Sequence, residues 1–124
     1  MRAEDLLQIN ISKYISFAYP DVIFTSDSSG IVTSMGQAIK MKRMRSNDKI
    51  PDLIVMEPRG NKHGLFIELK VKSPYLKDGV TLRKDEHLHD QNKTLQRLVK
   101  KGYEARFCTG FDETKKTIDY YMNG

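Results

Sequence analysis

The stretch Gly64-Leu-Phe-Ile-Glu-Leu-Lys-Val-Lys-Ser73 constrains the fold more than any other. Its odd positions Leu65, Ile67, Leu69 and Val71 are apolar, and its even positions Phe66, Glu68, Lys70 and Lys72 are mostly charged. An alternation of period two predicts a strand with one buried and one polar face. Glu68 and Lys70 then point the same way, about 7 Å apart along the strand. A carboxylate and an ammonium side by side on a sheet are either a surface ion pair or half of a metal-dependent active site. Upstream, Pro51-Asp52 opens a second short apolar run ending at Met56, and Pro58-Arg59-Gly60-Asn61 between the runs supplies hairpin-turn residues. Antiparallel neighbours set facing residues about 5 Å apart, so Asp52 and Glu68 meet if the register permits.

The rest of the chain supplies a frame for this hairpin. Leu7, Ile11, Tyr14, Ile15 and Ala18 recur at three- and four-residue steps and predict a helix over 4–18, stopped by Pro20. Residues 21–25 read as a short strand. Ser28-Ser29-Gly30 is a turn signal, and 34–45 reads as either a helix with a weak Met35, Ile39, Met41, Met44 stripe or a loop. A helix is predicted over 84–101 on the stripe Leu88, Leu95, Leu98, Val99, with Gly102 as its C′ glycine. Gln91 falls within that stripe and must find hydrogen-bond partners there. Residues 103–109 alternate as a strand, and 112–122 predicts a final helix with Asp112 as N-cap. The order α-β-β-β-α-β gives an α/β class: one domain over 1–124, a mixed central sheet flanked by helices.

Bulk properties narrow the function. No apolar run approaches the roughly 18 residues that span a bilayer, and Met1-Arg2-Ala3-Glu4-Asp5 lacks the apolar region of a signal peptide. The single cysteine, Cys108, excludes an internal disulfide and a Cys-rich zinc site, so a cytoplasmic home is expected. The net charge of +5 is unevenly spread: Lys40, Lys42, Arg43, Arg45 and Lys49 crowd into one stretch whose only acid is Asp48. Such a stretch is either a phosphate-backbone contact or a solvated loop. His87-x-His89 has no cysteine partners and only a distant His63, and reads as solvent-facing.

Two facing carboxylates hold a hard divalent cation well, because Mg²⁺ prefers oxygen ligands and keeps several waters. A lysine on the same face can position water for attack on phosphorus and stabilise developing negative charge. Asp52, Glu68 and Lys70 therefore make a candidate site for metal-assisted phosphodiester hydrolysis.

Pro51-Asp52 followed by Glu68-Leu69-Lys70 on adjacent strands resembles the PD-(D/E)xK nuclease superfamily. The early Glu4, the segment Ile50-Pro-Asp-Leu-Ile54, the strand Leu65-Phe-Ile-Glu-Leu-Lys70 and Gln91 ahead of Gly102-Tyr103 more narrowly resemble the VRR-Nuc (virus-type replication-repair nuclease) family. The order of elements is also similar to that of Holliday junction resolvases. Members often carry a glycine just before the Pro-Asp, where this chain has Asp48-Lys49-Ile50.

The resemblance implies a restriction-endonuclease-like core and a Mg²⁺- or Mn²⁺-dependent DNA endonuclease. Asp52 and Glu68 would bind metal, with Glu4 as a third carboxylate; Lys70 would assist the nucleophile and Gln91 orient the site. Lys40, Lys42, Arg43, Arg45, Lys49 and Lys72 are the expected DNA contacts. A small resolvase would be a C₂ homodimer acting on branched or four-way DNA, with 31–44 and Tyr120, Tyr121 and Met122 as candidate interface. If the chain is phage-encoded, its site of action is the bacterial host cytoplasm. The competing functions are a flap, nicking or restriction-type endonuclease and a non-catalytic DNA-binding module of the same fold.

Overall fold

The amphipathic period of residues 4–18 is realised as helix α1 (Ala3–Ala18), which buries Leu7, Ile11 and Ile15. Glu4 and Asp5 stand in its first turn, where negative charge favours the helix dipole. The computed structural model describes residues 1–26 and 34–124. The expected turn at Ser28-Ser29-Gly30 lies outside the described residues. Strand β1 (Phe24–Ser26) follows α1; then come helix α2 (Met35–Arg43), strands β2 (Leu53–Val55) and β3 (Leu65–Lys70), helix α3 (Glu86–Lys100), strand β4 (Glu104–Thr109) and helix α4 (Gly110–Asn123).

The sheet order is β1-β2-β3-β4, antiparallel at the first two pairings and parallel at the last. Gly60, in the left-handed region at φ 56°, turns the chain between β2 and β3, and Arg59 bridges to Lys62 beside it. The parallel pairing of β3 and β4 needs a crossover, and α3 supplies it. The mixed α/β fold implied by the sequence is the fold observed.

The even, mostly charged face of β3 is covered by α3, as helices cover both faces of parallel strands. Leu65, Ile67 and Leu69 pack with α1 and α4 (Ile11, Ile15, Ile118). Phe66 packs on the other side with Leu88, Leu95, Ala105 and Phe107, its ring edge-on to Tyr103 at 5.1 Å. Glu68 sits within this second covered face and is only 6% exposed. Val71, expected to continue the apolar face, lies beyond the end of β3 and is exposed.

The helices differ in detail from the sequence pattern. α3 buries Leu88, Gln91, Thr94 and Leu95, while Val99 is exposed. The side chain of its N-cap, Asp85, accepts from the backbone N–H groups of His87 and Leu88. α4 starts ahead of Asp112: Gly110 takes a φ of 75°, Thr109 is the N-cap, and Glu113 Oε2 accepts from the Thr109 backbone N–H. In α2 the helical alternative holds, with Ser34 capping the Gln37 N–H, but the helix buries none of its residues. Tyr121 and Met122 are core residues, so their side chains are not available to an interface; Tyr120 is exposed. Asp119 of α4 accepts hydrogen bonds from the hydroxyls of Tyr14 (2.6 Å) and Tyr19 (2.7 Å), pinning the end of α1 to α4.

Candidate active site

Each arm of the β2–β3 hairpin contributes one carboxylate. The register pairs Leu53 with Ile67, and one further step along it sets Asp52 against Glu68. Pro51 is fully buried and fixes the entry to β2. Asp52 Oδ2 accepts from the Leu69 backbone N–H at 2.9 Å, which ties the first carboxylate to the strand of the second.

Glu68 is the electrostatic focus. Burial is the main cause that raises its carboxyl above the ordinary 4.5; the Asp52 charge and a hydrogen bond with Asp52 add to it, and Lys70 pulls the other way. The carboxyl is pushed up to about 9, so the pair holds a proton between them at neutral pH in the absence of a cation. Gln91, 7% exposed, donates through Nε2 to Glu68 Oε1 at 2.9 Å. The same nitrogen lies 3.2 Å from Nε2 of His87, one helical turn earlier. Gln91 Oε1 is buried with no hydrogen-bond partner among the described residues. Lys70, half-buried, shares the face of Glu68, its Nζ 5.9 Å from the centroid of the Phe107 ring.

These donors fit a divalent cation. Two carboxylates forced together in a poorly hydrated place repel each other, and a bound cation relieves both the repulsion and the desolvation cost. A buried amide oxygen without a partner is a further acceptor at the same place. Mg²⁺ typically takes one or two carboxylates and keeps waters for its other positions, so Asp52 and Glu68 suffice.

Not every expected residue is brought here. Glu4 is exposed on the first turn of α1 and is not among the charges acting on Glu68. Among the described residues, no three His, Cys, Asp or Glu side chains are grouped to hold a metal ion; the register brings Asp52 and Glu68 together, and Glu4 stands on the first turn of α1. Lys40, Lys42 and Arg43 form the basic last turn of α2 and are exposed, as are Arg45, Lys49 and Lys72. The Asp48-Lys49-Ile50 segment ahead of the Pro-Asp is moored to α3. Asp48 pairs with Arg97, and the Lys49 N–H donates to Thr94 Oγ1 at 3.1 Å. The basic segment is thereby attached to the helix that carries Gln91.

Sequence reasoning missed two participants. His87, expected to face solvent only, is exposed yet touches the Gln91 amide; the available signal was the four-residue spacing that puts both on one helix face. Phe107, the ring beneath Lys70, stands opposite Glu68 in the β3–β4 register, a pairing visible only once the strands are known to be parallel.

Known proteins are similar to this chain over most of its length. The family model of the VRR-NUC domain matches residues 17–112, a span that contains Asp52, Glu68, Lys70 and Gln91 and begins after Glu4. A solved structure described as a VRR_NUC domain protein superposes with a TM-score of 0.69 at 24% sequence identity, covering 99% of this chain and 90% of that one. No curated protein matches the chain.

Proposed function

Because the chain belongs to the VRR-NUC domain family, a family of nuclease-type domains, we propose that it is a divalent-metal-dependent, structure-specific DNA endonuclease, a Holliday junction resolvase acting as a homodimer. The observation that carries this reading is the Asp52–Glu68 pair: two carboxylates set face to face by the hairpin register, the second bonded to an amide and sharing its face with a lysine.

Asp52 and Glu68 are the residues that would hold Mg²⁺ or Mn²⁺, whose contribution there is Lewis-acid neutralisation of phosphate charge. The chain's own groups do the rest. Gln91 Nε2, donating to Glu68 Oε1, holds that carboxylate in one orientation. The backbone N–H of Leu69 does the same for Asp52. Lys70 orients the attacking water and stabilises the negative charge that builds on the phosphoryl oxygens. The water oxygen bonds to phosphorus and gives up a proton to solvent, the opposite P–O ester bond breaks with its electron pair leaving on the ester oxygen, and that oxygen takes up a proton from solvent. Lys40, Lys42, Arg43, Arg45, Lys49 and Lys72 are exposed cations suited to the phosphate backbone.

Symmetrical cutting of a four-way junction needs two such sites, which is the reason for a C₂ dimer. The test is a panel of four-way, flap, nicked and linear duplex substrates with Mg²⁺, with Mn²⁺ and with EDTA. Paired symmetrical nicks in the four-way junction, dependent on metal, are expected. Metal-dependent cutting of flaps or linear duplex in preference to the junction would replace the resolvase by another endonuclease. Salt-sensitive binding without cleavage in either metal would overturn the enzyme.

A further inference from the structure

Between Lys70 and the start of α3 the chain makes a second, smaller hairpin that the site chemistry does not use. Tyr75 bridges Leu82, Leu76 N–H donates to Thr81 O at 2.7 Å, and Arg83 N–H donates to Pro74 O at 2.9 Å. Asp78 locks the tip, accepting from the backbone N–H groups of Val80 (2.9 Å) and Thr81 (2.8 Å) and from the Thr81 hydroxyl. Gly79, at φ 72°, takes the left-handed position of the turn. The tip is therefore fixed by its own hydrogen bonds.

The base of this hairpin is built into the active-site face. Tyr75 packs edge-on against Phe107 at 6.2 Å between centroids, the same ring that lies under Lys70, and Leu82 joins Leu88 and Leu95. Both arms lead to site residues: the first leaves the strand of Glu68 and Lys70, and the second enters the helix of His87 and Gln91. The tip has the opposite character. Leu76 is 51% and Val80 79% exposed, and neither belongs to a core cluster. Lys72, Lys77, Arg83 and Lys84 surround them in the sequence, and from Lys70 to Lys84 the only acid is Asp78.

An apolar tip fixed by its own hydrogen bonds and flanked in the sequence by cations has the composition of a nucleic-acid wedge. The cations meet phosphates, and the apolar side chains are placed against base faces where stacking is interrupted. An intact duplex presents stacked bases, which are costly to part; a branch point, flap or nick exposes a base face at much lower cost. Resting on the nuclease reading above, we propose that the 74–83 hairpin is the element that recognises a break in DNA stacking, with Leu76 and Val80 seated against the exposed base. Lys77, Arg83 and Lys84 hold the flanking backbone.

The test is binding in EDTA, so that it does not depend on cleavage. 2-Aminopurine is placed at the branch point of a four-way junction or, as control, in mid-arm, and compared for the wild-type chain, a Leu76→Ser/Val80→Ser variant and a milder Val80→Thr variant. The wild type is expected to raise emission at the branch position and not in mid-arm. The double variant is expected to lose that rise and to lower the ratio of junction to linear-duplex affinity about tenfold, the size expected when a buried Leu- or Val-sized apolar contact is lost; Val80→Thr is expected to fall between. Both side chains are exposed, and circular dichroism checks that the fold is kept. An unchanged fluorescence rise, an equal loss of affinity for both DNAs, or no DNA binding by the wild type would overturn the proposal. If the wild type gives the branch signal but cleaves nothing in Mg²⁺ or Mn²⁺, the nuclease reading falls and the wedge stands.

Discussion

Gln91 Nε2 donates to Glu68 Oε1 at 2.9 Å, a buried side-chain bond between α3 and β3. It joins the crossover helix to the strand of Glu68, so the candidate site depends on α3 as well as on the β2–β3 hairpin. Replacing Gln91 by Ala removes the donor and leaves Glu68 buried beside Asp52. Such outer partners of metal-holding carboxylates typically contribute 10- to 100-fold, so a loss of about that size in single-turnover cleavage or in Mn²⁺ affinity is expected. Full activity with full metal affinity would show that the amide does not orient the site.

Glu68 makes stability depend on pH in a known direction. Its carboxyl is near the ordinary 4.5 when unfolded and is pushed up to about 9 in the metal-free fold. The folded state therefore binds more protons across that window, and its contribution to stability, complete below about 4.5, is lost as pH rises towards 9. Urea unfolding in EDTA should show the midpoint falling over this range. A Glu68→Gln variant should flatten the slope, and millimolar Mg²⁺ should raise the midpoint most at the alkaline end, by binding the folded state alone. An alkaline slope as steep in Glu68→Gln as in the wild type would contradict this account.

The α1–α4 pin has the opposite sign. Burial works against the Asp119 charge, but hydrogen bonds from Tyr14, Tyr19 and Lys115 outweigh it and hold the carboxyl below its ordinary 3.8. Burial and the bond to Asp119 push the Tyr19 hydroxyl up to about 12. The stabilisation is present above about 3.8 and disappears as pH falls through the folded-state value. Asp119→Ala leaves two tyrosine hydroxyls without their acceptor and should cost about 1 kcal/mol at pH 7, less at pH 3. The same loss at both pH values would assign the effect to packing.

The cations of α2 are expected to act through the backbone of DNA. Each of Lys42→Gln and Arg43→Gln should reduce the slope of log affinity against log salt by about one, with similar effects on all sequences. An unchanged slope would make the basic turn a solvated one.

What was legible in the sequence followed from short-range periodicity. The alternation of 64–72, the stripe of α1 and the turn at Gly60 each encode their own geometry, and the Asp52–Glu68 meeting needed only the hairpin register. The parallel pairing of β4 with β3 was not legible, because it joins segments separated by a whole helix. From that pairing come the burial of Glu68, the packing of Phe66 and the place of Phe107 under Lys70. The contact of His87 with Gln91 was hidden for a related reason: the spacing was visible, but not that the face it shares meets the strand. Glu4 was legible as a first-turn acid of α1, and it stands exposed there.

The claim on which the rest depends is that Asp52 and Glu68 hold the metal for phosphodiester hydrolysis. Asp52→Ala removes one carboxylate and leaves the exposed cations in place, so it separates chemistry from binding. Measured on a four-way junction in Mg²⁺ and Mn²⁺, it is predicted to abolish cleavage while junction affinity in EDTA stays within a few-fold of wild type. Metal-dependent cleavage by Asp52→Ala at the wild-type rate would contradict the account.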